Sequence, residues 1–139
     1  MIRDIEVLED QFKIKVKKFI EELEAKKISY FINETKRTVE TQTAYFAQGR
    51  KNLITVNALR KKAGLWAITE KENKNIVTKT LNSKHIIGKA IDIVPAKDGK
   101  PNWNADDAEY KAIADIAISV GIDAGFYWKW QDKPHYEDK

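Results

Sequence analysis

The chain holds two histidines, and both sit in short motifs whose neighbours could complete a metal site. The first motif is Ser83-Lys84-His85-Ile86-Ile87-Gly88-Lys89-Ala90-Ile91-Asp92, and the second is Asp132-Lys133-Pro134-His135-Tyr136-Glu137. His85, Asp92 and His135 offer two imidazoles and a carboxylate. That is the ligand count of a catalytic zinc site, which uses three protein ligands and leaves the fourth position for water. Such a site also needs a base that is close to the water but not coordinated. Asp132, three residues before His135, is the candidate, with Glu137 as the alternative. Pro134 fixes one backbone angle and restrains its neighbour, so the Asp132–His135 spacing is held stiffly.

His85 and Asp92 are seven positions apart, and an odd separation in an unbroken strand points two side chains to opposite faces. They can share an ion only if the backbone bends between them, or if His85 lies in a turn before the strand. Gly88 is the place for the irregularity, because it carries no Cβ. Taken alone, the first motif reads equally as a half-buried histidine and a strand-end aspartate. The bland reading of the second motif is a surface turn with a lone histidine. Both histidines occurring in such contexts favours the metal.

The elements that must carry these residues follow from periodicity. Ile5, Leu8, Phe12, Val16, Phe19 and Leu23 form the apolar stripe of an amphipathic helix over residues 4–26. Residues 28–32 read as a short strand. Residues 38–47 read as a helix ending at Gly49, and residues 51–63 as another closed by Gly64. Residues 71–74 form a short helix or loop. Residues 85–94 read as a buried strand, 97–101 as a turn, and Trp103 as the start of a brief extended piece. A helix over 106–120, introduced by Asn104 or Ala105, turns Ala112, Ile113, Ile116, Ala117 and Val120 inward. A last strand delivers the second motif. On such a strand Phe126, Trp128 and Trp130 share a face, with Phe126 read as core. Helices mixed with a few strands predict one α+β domain over residues 1–139.

Composition narrows the classes. With 139 residues, 42% hydrophobic and 33% charged, the chain has the make-up of a globular domain able to bury a core. It has no cysteine, which excludes a thiolate zinc finger and a disulfide framework. The net charge of +4 is mild. Residues 1–30 balance seven basic against seven acidic side chains, and Arg60-Lys61-Lys62 reads as a solvated helix face. No nucleic-acid partner and no membrane partner is therefore expected, and a monomer is. No stretch resembles a signal peptide or a membrane span, so the chain is expected to be made in the cytoplasm and released by other means.

The order Ser-x-His-x-x-Gly-x-Ala-x-Asp, then Asp-x-Pro-His-aromatic-Glu, resembles the zinc D-Ala-D-Ala carboxypeptidase and L-alanyl-D-glutamate peptidase family, in particular its phage endolysin branch. Arg37-Thr38-Val39-Glu40-Thr41-Gln42, Tyr45-Phe46-Ala47-Gln48-Gly49-Arg50, Leu81-Asn82-Ser83 and Ile93-Val94-Pro95 extend the likeness, which spans roughly residues 30–138. The resemblance implies a hedgehog/D,D-peptidase-like fold, a small antiparallel sheet flanked by helices. It implies Zn2+ held by His85, Asp92 and His135, Asp132 as general base, and Arg37 on a substrate carboxylate or carbonyl oxygen. Ser83 would orient substrate or the first ligand, and Trp128 and Trp130 could wall a cleft. The implied substrates are the stem peptides of bacterial peptidoglycan, cut after release to the cell wall. An L-alanyl-D-glutamate endopeptidase is expected first, then a D-Ala-D-Ala carboxypeptidase. From another class comes a non-catalytic zinc-containing wall-binding module. The compact, aromatic segment 126–131 departs from the glycine-rich loop of longer relatives, and no separate wall-binding domain is expected.

Overall fold

In the computed structural model, which describes all of residues 1–139, the elements are α1 (Asp10–Ala25), β1 (Tyr30–Glu34), α2 (Val39–Ala47), α3 (Leu53–Lys62), β2 (Ala90–Lys97), β3 (Lys100–Pro101), α4 (Asp107–Ser119), β4 (Ile122–Ala124) and β5 (His135–Asp138). Single 3-10 turns cover Ile5–Val7, Glu72–Lys74 and Gly125–Tyr127. Contacts divide the chain into two compact units, one made of Met1–Lys36 with Ile87–Lys139 and the other of Arg37–Ile86. The architecture is α+β, four helices with a small antiparallel sheet.

In the first unit the strands run in the order β1-β2-β5-β4, with β3 on the end of β2 and every pair antiparallel. Alternation then sorts the side chains. Ile91 and Ile93 of β2, Tyr136 of β5, and Ile122 and Ala124 of β4 are buried on the apolar face. Leu8, Phe12, Val16, Phe19 and Leu23 cover them, together with Ile113, Ala114, Ile116 and Ala117 of α4. Each large side chain removed from water contributes on the order of 2 kcal/mol.

The N-terminal helix is shorter than its apolar stripe. The 3-10 turn at Ile5–Val7 is followed by extended backbone at Leu8 and Glu9, and α1 begins only at Asp10. The interruption lets the Glu9 amide donate to the Gly88 carbonyl at 3.0 Å, while the Glu9 carboxylate caps Gln11 and Phe12. Tertiary pairing has outweighed helix propagation here.

The 85–94 strand is corrected in the same way. Residues 84–88 form turns and β2 starts at Ala90. Gly88 is in the left-handed region at φ +72°, so the irregularity lies where the odd spacing required it. Three further expectations fail. Trp103 is in a turn, and the brief extended piece is Lys100–Pro101. Asp106 caps α4 by accepting from the Glu109 amide, which an aspartate does better than Asn104 at its distance or Ala105. Ala112 is exposed, and Tyr110 and Ala114 face inward instead.

In the second unit α2 packs against α3. Thr38 caps α2 and Asn52 caps α3 through side-chain oxygens. The Gln48-Gly49-Arg50 segment is a structural clasp. Gln48 donates to the Glu72 carbonyl, the Gly49 amide donates to Asn73, and Arg50 donates to the carbonyls of Phe46 and Thr78.

Gly88→Ala tests the bend. An added Cβ would sit 2.9 Å from the Glu9 amide nitrogen in a backbone region that L-residues rarely adopt. The expected loss is about 1–3 kcal/mol, read as a lowered denaturant midpoint. An unchanged midpoint would show that the bend is not under this constraint.

Candidate metal centre

The register of β2 on β5 places Asp92 across from His135. Both face away from the apolar side, since their neighbours Ile91, Ile93 and Tyr136 take that side. The His135 Nδ1 is 3.3 Å from Asp92 Oδ1, and its Nε2 is 2.9 Å from Glu137 Oε1. Burial alone would pull the His135 pKa down. The hydrogen bonds to Asp92 and Glu137, with the nearby charges of Asp92 and Asp132, outweigh it and lift the pKa from 6.5 to about 9. The imidazolium therefore sits where negative charge collects.

His85 is buried in the turn before β2. Its amide donates to Ser83 Oγ at 3.2 Å, and its carbonyl accepts from the Arg37 amide at 3.0 Å. Ser83 thus shapes the turn that carries His85. The ligand atoms of His85, Asp92 and His135 all lie within 4.8 Å of one another.

The donor set fits a zinc-like ion. Two donors each about 2.0–2.1 Å from a tetrahedral ion stand about 3.3 Å apart, which is the separation of Asp92 Oδ1 and His135 Nδ1. Two imidazoles with one carboxylate also match the ligand preference of zinc over magnesium or calcium. Further carboxylates favour a cation. Glu34, buried, pairs with Asp92 across β1 and β2, and Asp123 pairs with Glu137 across β4 and β5.

Asp132 is exposed and outside the three-residue group. Its amide donates to the Gly125 carbonyl at 2.9 Å, and its own carbonyl accepts from the His135 amide at 3.1 Å. The Asp132–His135 turn is therefore closed by main-chain bonds as well as stiffened by Pro134. A Cβ on Gly125 would run into the Asp132 carbonyl, so this close approach requires glycine. Lys133 is anchored by an ion pair to Asp107 at 2.6 Å.

The aromatic strand expected over Phe126, Trp128 and Trp130 does not form. β4 stops at Ala124 because the Gly125 carbonyl is taken by the amides of Trp128 and Asp132, and a 3-10 turn follows. Phe126 packs against the core as expected. Trp128 lies with its ring centroid 5.2 Å from that of His135, and its Nε1–H donates to Asp123 at 3.2 Å. Trp130 is 72% exposed.

Arg37 is more than a surface charge. Its guanidinium donates to Gln42 Oε1 at 2.8 Å and lies over the Tyr45 ring at 4.9 Å. Gln42 is buried and donates in turn to the Thr80 carbonyl at 2.7 Å. Gln42 and Tyr45 lie in the segments that carry the family likeness, but nothing in the sequence marks them as supports of Arg37, since a glutamine and a tyrosine on a helix have many other uses. Nor does it mark Glu34 and Asp123, whose partners are fixed only by strand register. The partnership of Glu137 with His135 had a signal, because residues two apart on a strand share a face.

Solved structures with this fold include the L-Ala D-Glu endopeptidase ChiX of Serratia marcescens. The match has TM-score 0.62 and 16% identity and covers 97% of this chain and 83% of that one. The vancomycin-resistance D,D-pentapeptidase VanY, in complex with Zn(II), matches with TM-score 0.57 and 12% identity over 94% of this chain and 72% of its own. The LdcB LD-carboxypeptidase matches with TM-score 0.63 and 15% identity over 94% of this chain and 58% of its own. At these identities the likeness is one of fold. No curated protein sequence matches the chain. The family model for phage L-alanyl-D-glutamate peptidases matches residues 62–139, which is more than half of the sequence and takes in His85, Asp92, Asp132 and His135. The chain belongs to the phage L-alanyl-D-glutamate peptidase family.

Proposed function

We propose that the protein is a zinc-dependent peptidase that hydrolyses the bond between L-alanine and D-glutamate in peptidoglycan stem peptides. The observation that carries this reading is the convergence of His85, Asp92 and His135 to within 4.8 Å, with Asp132 on the same turn as His135 but outside the group. Family membership supplies the substrate class. Zinc, when bound, would act as a Lewis acid and lower the pKa of a water molecule to about 7.

The chain's own groups have distinct tasks. His85, Asp92 and His135 hold the ion. Asp132 takes a proton from the attacking water and delivers it to the leaving amine nitrogen, so that water adds across the amide to give a carboxylate and, with the second proton, an ammonium group. Exposure suits Asp132 to this work, since a base must reach solvent and substrate. Arg37 faces negative charge on the substrate, either a carboxylate or the oxygen of the attacked carbonyl. Gln42 and Tyr45 hold its guanidinium in place before substrate arrives. Trp128 lends an apolar wall beside His135, and the exposed Trp130 a surface for the stem peptide. Ser83 keeps the His85 turn in shape. The protein acts as a monomer on the cell wall after release from the cytoplasm.

A second reading, a D-Ala-D-Ala carboxypeptidase, draws on the fold shared with VanY, whose structure has been solved in complex with D-alanine-D-alanine. The two differ in the bond cut. Mass spectrometry of digested peptidoglycan is expected to show new L-alanine C-termini and no release of D-alanine, with all cleavage stopped by a chelator. Released D-alanine alone would establish the carboxypeptidase. Zinc binding without any cleavage would establish a binding module.

Asp132→Ala is expected to retain zinc at one equivalent while the rate falls about 10²–10⁴-fold. Metal analysis and a turbidity assay of cell walls check this, and near wild-type turnover would remove Asp132 from the role. The raised His135 pKa gives the pH dependence its sign. Without metal, the protonated ring stabilises the fold fully below about pH 6.5, and that stability is lost as pH rises through about 9. Zinc needs the neutral ring, so its apparent affinity is expected to rise roughly tenfold per pH unit between about 7 and 9. Thermal melts across this range should fall with chelator present and gain from added zinc. A zinc affinity that is flat over the interval would contradict the assignment of His135.

A further inference from the structure

Glu137 has no part in the chemistry proposed above, yet its carboxylate lies closer to a ring nitrogen of His135 than that of Asp92 does. Glu137 Oε1 is 2.9 Å from Nε2, while Asp92 Oδ1 is 3.3 Å from Nδ1. A general base needs its oxygen directed at water, and here that oxygen is committed to the edge of a ligand imidazole. The placement follows from the strand. His135 and Glu137 are two apart on β5, which lies between β2 and β4, so both side chains leave the same face of the sheet.

The surroundings keep the pair together. Across from Glu137 on β2 is Ala90, whose single methyl leaves room for the carboxylate. Across from it on β4 is Asp123, the carboxylate that accepts from Trp128 Nε1–H. Trp128 in turn packs against the His135 ring, 5.2 Å between centroids. The ring is therefore gripped at its Nε2 edge and packed by an indole, and Nδ1 is the nitrogen left to join Asp92.

We infer that Glu137 is a positioning residue for His135: it accepts the Nε2–H, fixes the tautomer whose lone pair is on Nδ1, and presents that nitrogen beside Asp92 as the ligand atom. This inference rests on the metal-binding reading of the site. A carboxylate in this place raises the basicity of the ligand and removes the entropy of ring rotation, and loss of such a partner costs about 10–100-fold in metal affinity.

The test uses the full chain, 15N-labelled at histidine and loaded with 113Cd, alongside zinc competition titrations of wild type, Glu137→Gln and Glu137→Ala. The wild type is expected to show a one-bond cadmium coupling at His135 Nδ1 and none at Nε2. Glu137→Ala should lose about 10–100-fold in zinc affinity, with the coupling shared between the two nitrogens or moved to Nε2. Glu137→Gln, whose amide oxygen still accepts, should keep the Nδ1 coupling and lose less affinity than the alanine variant. Coupling at Nε2 in the wild type would overturn the inference, as would unchanged affinity and coupling in Glu137→Ala. A glutamine variant as weak as the alanine variant would also overturn it, by making the carboxylate itself a ligand. If the wild type bound neither zinc nor cadmium, the metal reading would fall and this inference with it. Should Glu137→Ala not fold, the wild-type coupling and the glutamine variant still decide the matter.

Discussion

Antiparallel pairing of β2 with β5 sets Asp92 across from His135, and strand alternation then divides the labour of the sheet. One face carries Ile91, Ile93, Tyr136 and Ile122 into the core under α1 and α4. The other carries Asp92, His135, Glu137 and Asp123. A slip of one residue in this register would send the carboxylates and the imidazole into the apolar layer and bring isoleucines to the site. The burial that stabilises one face thus holds the polar groups on the other. Asp92 and His135 need no separate scaffold, because their placement is the reverse side of the core.

His85 is outside this sheet logic, and the chain solves the problem with a turn. Ser83 and the Arg37 amide shape the turn around His85, and Gly88 takes a left-handed conformation whose carbonyl receives the Glu9 amide. The start of α1 is broken for that contact. Gly125 plays a comparable part at the second motif, where its carbonyl accepts from both Trp128 and Asp132. Two glycines with different reasons, one a backbone angle and the other a close approach, therefore set where the candidate ligand and base segments run.

The three ligand candidates and the base candidate were legible in the sequence because their types are rare and their spacings are chemical. With only two histidines in the chain, each in a motif, little was left to choose. The apolar stripe of α1 and the glycine-terminated α2 and α3 were legible for the usual periodic reasons. Less legible were features decided by who takes a given carbonyl. Alternating Phe126, Trp128 and Trp130 look like a strand, but the Gly125 carbonyl has two amide partners and the strand ends. The stripe of Ile5 and Leu8 looks continuous with α1, but Glu9 bonds elsewhere. The supporting roles of Gln42, Tyr45 and Asp123 leave no sequence signal, since each lies in one hydrogen bond or one ring contact.

Asp92, Glu137 and Asp132 act on His135 and lift its pKa to about 9 in the absence of a metal, while Glu34 pairs with Asp92 and Asp123 with Glu137 across the sheet. A divalent cation replacing that proton would answer the same field more fully. The fold and its charges together call for one ion held by His85, Asp92 and His135. Anomalous diffraction at the zinc edge from zinc-soaked crystals would locate it. A single strong peak within bonding distance of His85, Asp92 Oδ1 and His135 Nδ1 is expected. No peak there, or a peak held by other residues, would mean that these three side chains do not form a metal site.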